Sequence, residues 1–342
     1  MLRAAQSKTF KTCRRHNSML SNRPLLNATA CVALGGLVSF AVPSQAQDES
    51  PNDWLNKMAR AVQTTNYEGT VIRIKDGTAE ALKVVRVVSD GVIREKVLVQ
   101  EGNGLEIVRH GNEVHCILPD KKSVLVEEWD EQSGLFSTLP SSDVRFGSEY
   151  DLRIVRKERV AGRKAIMLAV QPHDQYRFGH RIWLDVETGF PLQTQLIGGD
   201  GAAVEQVKFA DITLDRDIQL SALQPSYDTA GFRWIREPRR KVTRAVESGW
   251  DSDGLPPGFR VVSSHEEELP GSDKPTTHIL FSDGLANVSV FVEPGRGEYV
   301  SERSRVGASN SFSIATGGYL ITAVGEVPAE TVEQIATSMQ SR

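Results

Sequence analysis

Six cationic side chains fall within twelve consecutive positions of a chain in which acidic residues outnumber basic ones, 44 to 40. Phe232 and Trp234 are interleaved with them, and the six are Arg233, Arg236, Arg239, Arg240, Lys241 and Arg244. Because arginine forks bind carboxylates and phosphates bidentately, this cluster fits an acidic peptide or an anionic headgroup. A solvated linker without a ligand explains the same residues equally well. The net charge of −4 disfavours nucleic acid as a partner.

Motifs of catalysis and of metal binding are missing from the sequence. It contains no GxSxG elbow, no SxxK, no HExxH and no CxxC. His110, His115 and Cys116 are close together, but no convergent third and fourth ligand accompanies them. The alternating run around Cys116 favours a small buried side chain on a strand over a reactive thiol. We therefore predict a binding protein with no cofactor, no metal and no catalytic residue.

The elements that would position these residues are mostly short strands. Asn52-Asp53 followed by a helical apolar stripe predicts one amphipathic helix of about three turns. After Asn66 the hydrophobic period changes to two, and Asp-Gly and Gly-Asn turns separate the runs, which predicts an antiparallel meander. The clearest strand is 178–186, with His180, Ile182 and Leu184 on one face and Arg181 and Trp183 on the other. A less regular stretch, 129–148, interrupts the sheet, and 133–139 is predicted to form a short helix or a lid.

The first 46 residues have the pattern of an export signal. Six basic residues and no acidic one precede or flank an apolar run from Leu25 to Val42, and Ser44-Gln45-Ala46 predicts cleavage after Ala46. A single membrane anchor is the competing interpretation, because the run is near the spanning length. Removal of the signal would leave a net charge of −10 and Cys116 as the one cysteine, so no internal disulfide is expected.

The length of 342 residues favours two domains. We predict a first domain over 47–223, a proline-containing linker over 224–257, and a smaller domain over 258–342 with four strands and a final helix at about 329–339. The predicted fold class is α+β with mostly antiparallel β-structure: a strongly curved sheet or half-barrel and a smaller α+β domain.

Several blocks in order along the chain resemble the MucB/RseB family of periplasmic regulators of the envelope-stress sigma factor. The most specific blocks lie in the first domain, and others follow in the second. They are Asp53-Trp54-Leu55, Tyr67-Glu68-Gly69-Thr70, Val160-Ala161-Gly162-Arg163, Tyr176-Arg177-Phe178-Gly179-His180, Trp183-Leu184-Asp185, Thr188-Gly189-Phe190-Pro191-Leu192, Leu255-Pro256-Pro257-Gly258-Phe259, Phe281-Ser282-Asp283-Gly284 and Val324-Gly325-Glu326-Val327-Pro328.

The resemblance implies a first domain similar to the LolA/LppX lipoprotein carriers, with a curved sheet and helices around an apolar cavity. It implies a periplasmic protein that binds the periplasmic region of a membrane anti-sigma factor, such as RseA or MucA, and shields it from site-1 proteolysis. Lipid or lipopolysaccharide would release it, and a homodimer is an open alternative to a monomer. A lipid or lipoprotein carrier is the second hypothesis, and an enzyme is the third.

A lipid switch of this kind is energetically feasible. Moving a two-state equilibrium from 1:99 to 99:1 requires about 5.5 kcal/mol of differential binding. At about 0.8 kcal/mol per buried methylene, roughly seven methylenes supply that free energy. Tyr176, Arg177 and Arg181 are the predicted headgroup contacts, although cross-strand pairing explains them equally well.

Overall fold

The computed structural model describes residues 49–128, 136, 139, 148–236, 242–245, 249–267, 275–295 and 301–342, with backbone alone at 242–245 and 267. The predicted export signal and its cleavage site lie outside the described residues. So does the predicted lid at 133–139, apart from Phe136 and Leu139. In the described part of the chain, no helix is long and apolar enough to cross a membrane.

Helix α1 spans Pro51–Thr64 and begins with a reciprocal capping box. The Asp53 amide donates to the Ser50 hydroxyl oxygen, and the Ser50 amide donates to the Asp53 carboxylate. Asp53 is thus the third helical residue, and the cap is Ser50 rather than the predicted Asn52-Asp53. Pro51 fits the first helical position because its missing N–H would have no partner there. The buried stripe of α1 contains Trp54, Leu55, Met58, Ala59 and Ala61.

The first lobe combines α1 with a twelve-stranded sheet. Its strands are β1 Tyr67–Lys75, β2 Thr78–Ser89, β3 Val92–Val99, β4 Glu106–His110, β5 Glu113–Leu118, β6 Ser123–Glu128, β7 Tyr150–Val160, β8 Arg163–Pro172, β9 Gly179–Asp185, β10 Pro191–Ile197, β11 Ala203–Leu214 and β12 Arg233–Arg236. The spatial order is β12-β6-β5-β4-β3-β2-β1-β11-β10-β9-β8-β7, and every neighbouring pair is antiparallel except β12 and β6. The order confirms the antiparallel meander.

Two-residue turns fix the register of the hairpins. Asp76-Gly77 and Asp90-Gly91 all have positive φ angles, between 50° and 73°. Positive φ at both central positions belongs to the type I′ turn, whose twist matches that of antiparallel strands. The Asp-Gly pairs therefore join β1 to β2 and β2 to β3, as predicted.

The second lobe contains a seven-stranded sheet and helix α2. After β13 Val242–Ala245 and β14 Trp250–Ser252, its elements are β15 Arg260–Glu267, β16 Thr276–Ser282, β17 Asn287–Pro294, β18 Glu302–Val306, β19 Ser309–Thr316, β20 Tyr319–Gly325, α2 Ala329–Thr337 and β21 Met339–Ser341. The sheet order is β13-β15-β16-β17-β20-β19-β18, and β14 pairs separately with β21. The α+β class is confirmed, while β18 and β19 are strands that the sequence did not predict.

The predicted linker, 224–257, contributes strands to three sheets. β12 adds to the first-lobe sheet, β13 to the second-lobe sheet, and β14 to the β14–β21 pair. Phe232 packs on the cluster of Ile117, Val124 and Val126, and the Trp250 ring meets the Tyr319 ring edge to face at 5.0 Å. The segment is therefore anchored to both lobes.

Each lobe has its own apolar core. In the first, α1 packs Trp54, Leu55 and Met58 on Ile166, Leu168, Ile182 and Leu184 of the sheet. An aromatic cluster of Tyr67, Phe136, Phe190 and Phe209 adjoins them. The core of the second lobe lies between its sheet and α2.

Candidate functional site

The structure divides the cationic cluster between the two lobes. Arg233 and Arg236 lie on β12, at the edge of the first-lobe sheet. Arg244 lies on β13, where its backbone is opposite Glu266 in the second lobe. Arg239, Arg240 and Lys241 lie outside the described residues. The two ends of the cluster therefore belong to different sheets.

Around β12, one exposed patch combines charge with an aromatic ring. Arg236 Nη2 donates to Glu113 Oε2 at 3.1 Å, and His115 Nε2 lies 2.8 Å from Glu113 Oε1. Trp234, 52% exposed, meets the His115 ring edge to face at 5.2 Å. We call Glu113, His115, Arg233, Trp234 and Arg236 the β12 edge patch.

The carboxylate of Glu113 organises the β12 edge patch electrostatically. Hydrogen bonds from His115 and then from Arg236 lower the pKa of Glu113. It is therefore ionised and holds both partners on the surface. Arg233 is exposed and makes no side-chain hydrogen bond or ion pair within the described residues, so its guanidinium is available to a ligand.

The three predicted headgroup residues are not brought together. Arg177 is fully buried: Nη1 lies 2.8 Å from Asp283 Oδ2, Nε 3.1 Å from Asp174 Oδ1, and Nη2 donates to the Pro257 carbonyl. Its role as a headgroup contact is wrong for this arrangement, because all three nitrogens already have protein partners. The Tyr176 carbonyl accepts a hydrogen bond from Thr331 Oγ1 of α2. Arg181 instead lines a separate pocket on the sheet.

Arg177 and Asp283 form the centre of a junction between the lobes. The Tyr150 hydroxyl donates to Asp283 Oδ2 at 2.8 Å, and the Arg177 guanidinium lies 5.3 Å from the ring centroids of both Tyr150 and Phe259. Burial, followed by the negative charge of Asp283, raises the pKa of Tyr150, so the phenol stays protonated and donates. Such a pair holds its geometry because separating it would leave a buried charge without a counterion.

A second set of contacts joins the lobes at a turn of the second-lobe sheet. The Gly307 amide donates to Asp76 Oδ2 at 2.9 Å, and the Ala308 amide donates to Glu205 Oε1 at 2.8 Å. Lys75 Nζ lies 3.5 Å from the same Glu205 oxygen. The tips of two first-lobe hairpins thus bind the β18–β19 turn.

A cavity of about 250 Å³ lies between the lobes, bounded by both. Burial lowers the pKa of His180, in its wall, to about 4. Burial, with Glu205 adding to it, raises the pKa of Glu326 on the opposite side. The lining comprises Tyr150, Phe178, His180, Leu196, Leu285, Ala286, Asn287 and Glu326. Burial therefore shifts the pKa of each of these two groups in the direction that favours its neutral form.

Among the described residues, the apolar space between α1 and the sheet is packed with side chains. Met58, Leu168, Ile182, Leu184 and Phe190 are each essentially inaccessible to solvent there. An acyl chain would therefore enter this space only by displacing side chains or by moving α1.

The described residues support neither a metal site nor a reactive thiol. No group of three or more potential ligands there has the arrangement of a metal site. Burial, with a contribution from Glu127, raises the pKa of Cys116 to about 11. This thiol is therefore protonated and unreactive at neutral pH.

Sequence reasoning missed Tyr150 and Asp283. Asp283 Oδ1 accepts hydrogen bonds from the Leu285 and Ala286 amides, so in sequence it has the signature of an ordinary turn residue. Its buried partner lies 106 positions away. The one available signal was that Arg177 and Asp283 both fall within blocks that resemble the same family.

Comparisons with known proteins identify the same family in both lobes. The family model described as the MucB/RseB N-terminal domain matches residues 50–227, and the MucB/RseB C-terminal domain model matches residues 244–340. The sigma factor AlgU regulatory protein MucB of Pseudomonas aeruginosa is 32% identical over 321 residues, covering 92% of this chain and 98% of that protein. The sigma-E factor regulatory protein RseB of Escherichia coli K12 is 27% identical, covering 84% of this chain and 89% of that protein.

Solved structures of MucB are also similar to this chain over most of its length. MucB in complex with MucA(peri) aligns with a TM-score of 0.65 at 30% identity, covering 85% of this chain and 99% of that chain. MucB alone aligns with a TM-score of 0.53 at 29% identity, covering 85% and 98%.

Proposed function

The chain belongs to the MucB/RseB family, and from that premise we propose that it is a periplasmic regulator of an envelope-stress sigma factor. It binds the periplasmic region of a membrane anti-sigma factor of the RseA or MucA type. The observation that carries the proposal is the similarity, over 85% of this chain, to MucB solved in complex with MucA(peri). The curated relatives above are named as regulatory proteins, which supports a binding role rather than catalysis.

We place part of the anti-sigma contact at the β12 edge patch. An edge strand presents backbone groups that can pair with an added strand, and Trp234 provides an exposed aromatic anchor. Arg233 and Arg236 favour a partner segment rich in carboxylates. Arg239, Arg240, Lys241 and Arg244 continue the chain from this edge and stay predicted contacts.

Binding at this surface would protect the anti-sigma factor because a protease needs an extended, accessible segment. A segment paired with β12 is withdrawn from the solution, so the first cut waits for dissociation. Lipid or lipopolysaccharide would favour dissociation by binding an alternative state more tightly. Since the interior under α1 is filled, that state requires α1 or the side chains beneath it to move.

A lipid or lipoprotein carrier would use the same interior. The packed core and the second lobe, joined to the first by a buried ion pair, favour a regulator whose two lobes act together. Transfer of lipid between two vesicle populations, catalysed by the protein, would support the carrier instead.

The binding step is testable with the exported protein and the purified periplasmic domain of the organism's own anti-sigma factor. Titration calorimetry should give a saturable complex, weaker in R233S/R236S than in the matched surface variant R60S/K83S. Adding vesicles that contain lipopolysaccharide should release the complex, whereas phosphatidylcholine vesicles should not. The absence of any complex would overturn the proposal, and a complex that resists both vesicles would overturn the release step alone.

A further inference from the structure

A second pocket, of about 360 Å³, opens on the face of the first-lobe sheet opposite α1. Ile182 and Leu184 of β9 pack with α1, so the alternating Arg181 and Trp183 point to the other face. The strand register aligns one row across five strands, which is Arg156, Met167, Trp183, Gln193 and Lys208. Regular β-structure therefore builds this pocket, and Trp183 forms part of its buried floor.

The lining of the pocket is strongly cationic. Arg156, Arg159, Arg181 and Lys208 contribute four positive charges, and Glu158 contributes the single negative one. The remaining lining residues are Val160, Trp183, Gln193 and Gln195. The lining therefore has a net positive charge, whereas the whole chain has a net charge of −4.

The one carboxylate is already engaged. Arg156 Nε donates to Glu158 Oε1 at 3.0 Å, and Trp183 Nε1 donates to the same oxygen. Within the described residues, Arg181 and Lys208 make no side-chain hydrogen bond or ion pair, and Arg159 Nη1 bonds only to the Gly162 carbonyl. Like charges gathered without counterions repel one another, and a bound anion removes that repulsion.

The two glutamines add directed polar groups. The side-chain amides of Gln193 and Gln195 both point at Gln206 Oε1, at 3.5 Å and 2.6 Å. This shared acceptor orients the two amides, and each retains a second N–H. The described lining of the pocket thus offers guanidinium, ammonium and amide donors, and its one carboxylate, Glu158, is already engaged.

We propose that this pocket binds a multiply charged oxyanion, a phosphate or a phosphate monoester. Arg181 and Lys208, which have no side-chain partner among the described residues, and Arg159, with one carbonyl contact, match two negative charges better than one. Arginine forks bind phosphate oxygens bidentately, whereas lysine acts as a point charge. The site is separate from the β12 edge patch, and its occupancy does not depend on the regulatory role.

The ionisation of the phosphate group and the charge of the pocket determine how binding depends on pH and on salt. The second ionisation of a phosphate monoester has a pKa of about 6, so affinity should rise as pH increases through that value. Affinity should fall with added salt, because part of the attraction is screened.

The source of the phosphate group is distinguished by two probes. Inorganic phosphate and glycerol phosphate represent a free anion, and vesicles of phosphatidic acid in phosphatidylcholine represent a lipid headgroup. Thermal unfolding and titration calorimetry of the exported protein in a phosphate-free buffer report the first. Co-sedimentation with the vesicles reports the second.

Three variants separate the pocket from general charge effects. R181Q/K208Q removes two cations of the pocket lining and should weaken binding by about tenfold or more. R60Q/K83Q makes the same change in net charge on exposed surface elsewhere and should bind as the unchanged protein does. Glu158→Gln keeps an acceptor for Trp183 but removes the opposing charge, so it should bind about threefold more tightly.

Binding of either probe with this order of affinities supports the pocket, and the responding probe identifies the source. Failure of both probes to bind, or equal weakening in R181Q/K208Q and R60Q/K83Q, would overturn the proposal. Binding of an acidic peptide in place of both phosphate probes would also overturn it. Anti-sigma binding measured on the same variants should be unchanged, so failure here is distinguishable from failure of the regulatory role.

Discussion

The guanidinium of Arg177 and the carboxylate of Asp283 form a buried ion pair that joins the two lobes, with 2.8 Å between Nη1 and Oδ2. The side chains are 0% and 1% exposed. Neither charge can return to water while the lobes stay together, so the pair couples the position of one lobe to that of the other. A change in the first lobe that moved Arg177 would leave the buried carboxylate of Asp283, in the second lobe, without its counterion, and this costs free energy.

Replacing Asp283 should test this coupling. Asp283→Asn leaves Arg177 buried with a weaker partner and should lower the free energy of unfolding by about 3 to 5 kcal/mol. Chemical denaturation followed by fluorescence and circular dichroism measures this loss, and in the variant the two lobes should unfold in separate transitions. Arg303→Gln, which breaks the exposed pair with Glu333, should cost at most about 1 kcal/mol. Equal effects of the two substitutions would contradict a special role for the junction.

Gly69 is required by close backbone approach. A β-carbon at this position would overlap the Asp211 carbonyl oxygen of β11, beside the register shift between Thr70 and Val71. Gly69→Ala should therefore destabilise the protein by about 2 kcal/mol or more. Gly199→Ala, where no atom lies within 4 Å, should change stability by less than about 0.5 kcal/mol. Thermal or urea unfolding compares them, and a neutral Gly69→Ala would show that the strand can move.

His180 should make the protein less stable in acid. Its pKa is about 4 in the folded protein, below the ordinary value of about 6.5, so the unfolded chain binds the proton more tightly. Stability therefore falls as pH decreases from about 6.5 to about 4, by about 3 kcal/mol from this group alone. Glu326 acts in the opposite sense, since its raised pKa stabilises the folded form as it is protonated.

Denaturation curves at several pH values measure the slope. His180→Gln should flatten the profile between pH 6.5 and pH 4. An unchanged slope in His180→Gln would mean that other groups carry the acid sensitivity.

The β12 edge patch should contribute to partner affinity through charge. R233S/R236S should weaken anti-sigma binding about threefold to tenfold and reduce its dependence on salt. Trp234→Ala should weaken binding without changing the salt dependence, because it removes an apolar anchor. Unaltered affinity at low salt in both variants would return this segment to the interpretation as a solvated linker.

Local signals in the sequence predicted much of the first lobe. The Asp-Gly pairs specify their turns, and the alternation of Arg181, Ile182, Trp183 and Leu184 gives the correct face of β9 to α1. β18 escaped prediction because Glu302–Val306 is exposed throughout and lacks apolar alternation. Its neighbour β19 carries serine and asparagine at positions where a typical strand has apolar residues.

The candidate functional sites were less predictable than the fold, because their chemistry depends on contacts between residues that are far apart in sequence. In sequence, Arg177 and Arg181 are equivalent basic residues near one strand. The fold buries Arg177 against Asp283 and leaves Arg181 facing a cationic pocket. Likewise, the six cationic residues of the cluster lie within twelve positions of the sequence, yet the two ends of the cluster belong to different sheets. Only the strand pairing and the contacts between the lobes distinguish these outcomes.

The regulatory role that we propose requires protection of the anti-sigma factor, and the rate of its first proteolytic cut tests that protection most directly. The anti-sigma periplasmic domain is incubated with its site-1 protease while the exported protein is titrated to saturation. We predict that the cleavage rate falls in proportion to the bound fraction, and that R233S/R236S requires more protein for the same protection than R60S/K83S. A cleavage rate that stays unchanged when the complex is saturated would contradict the account.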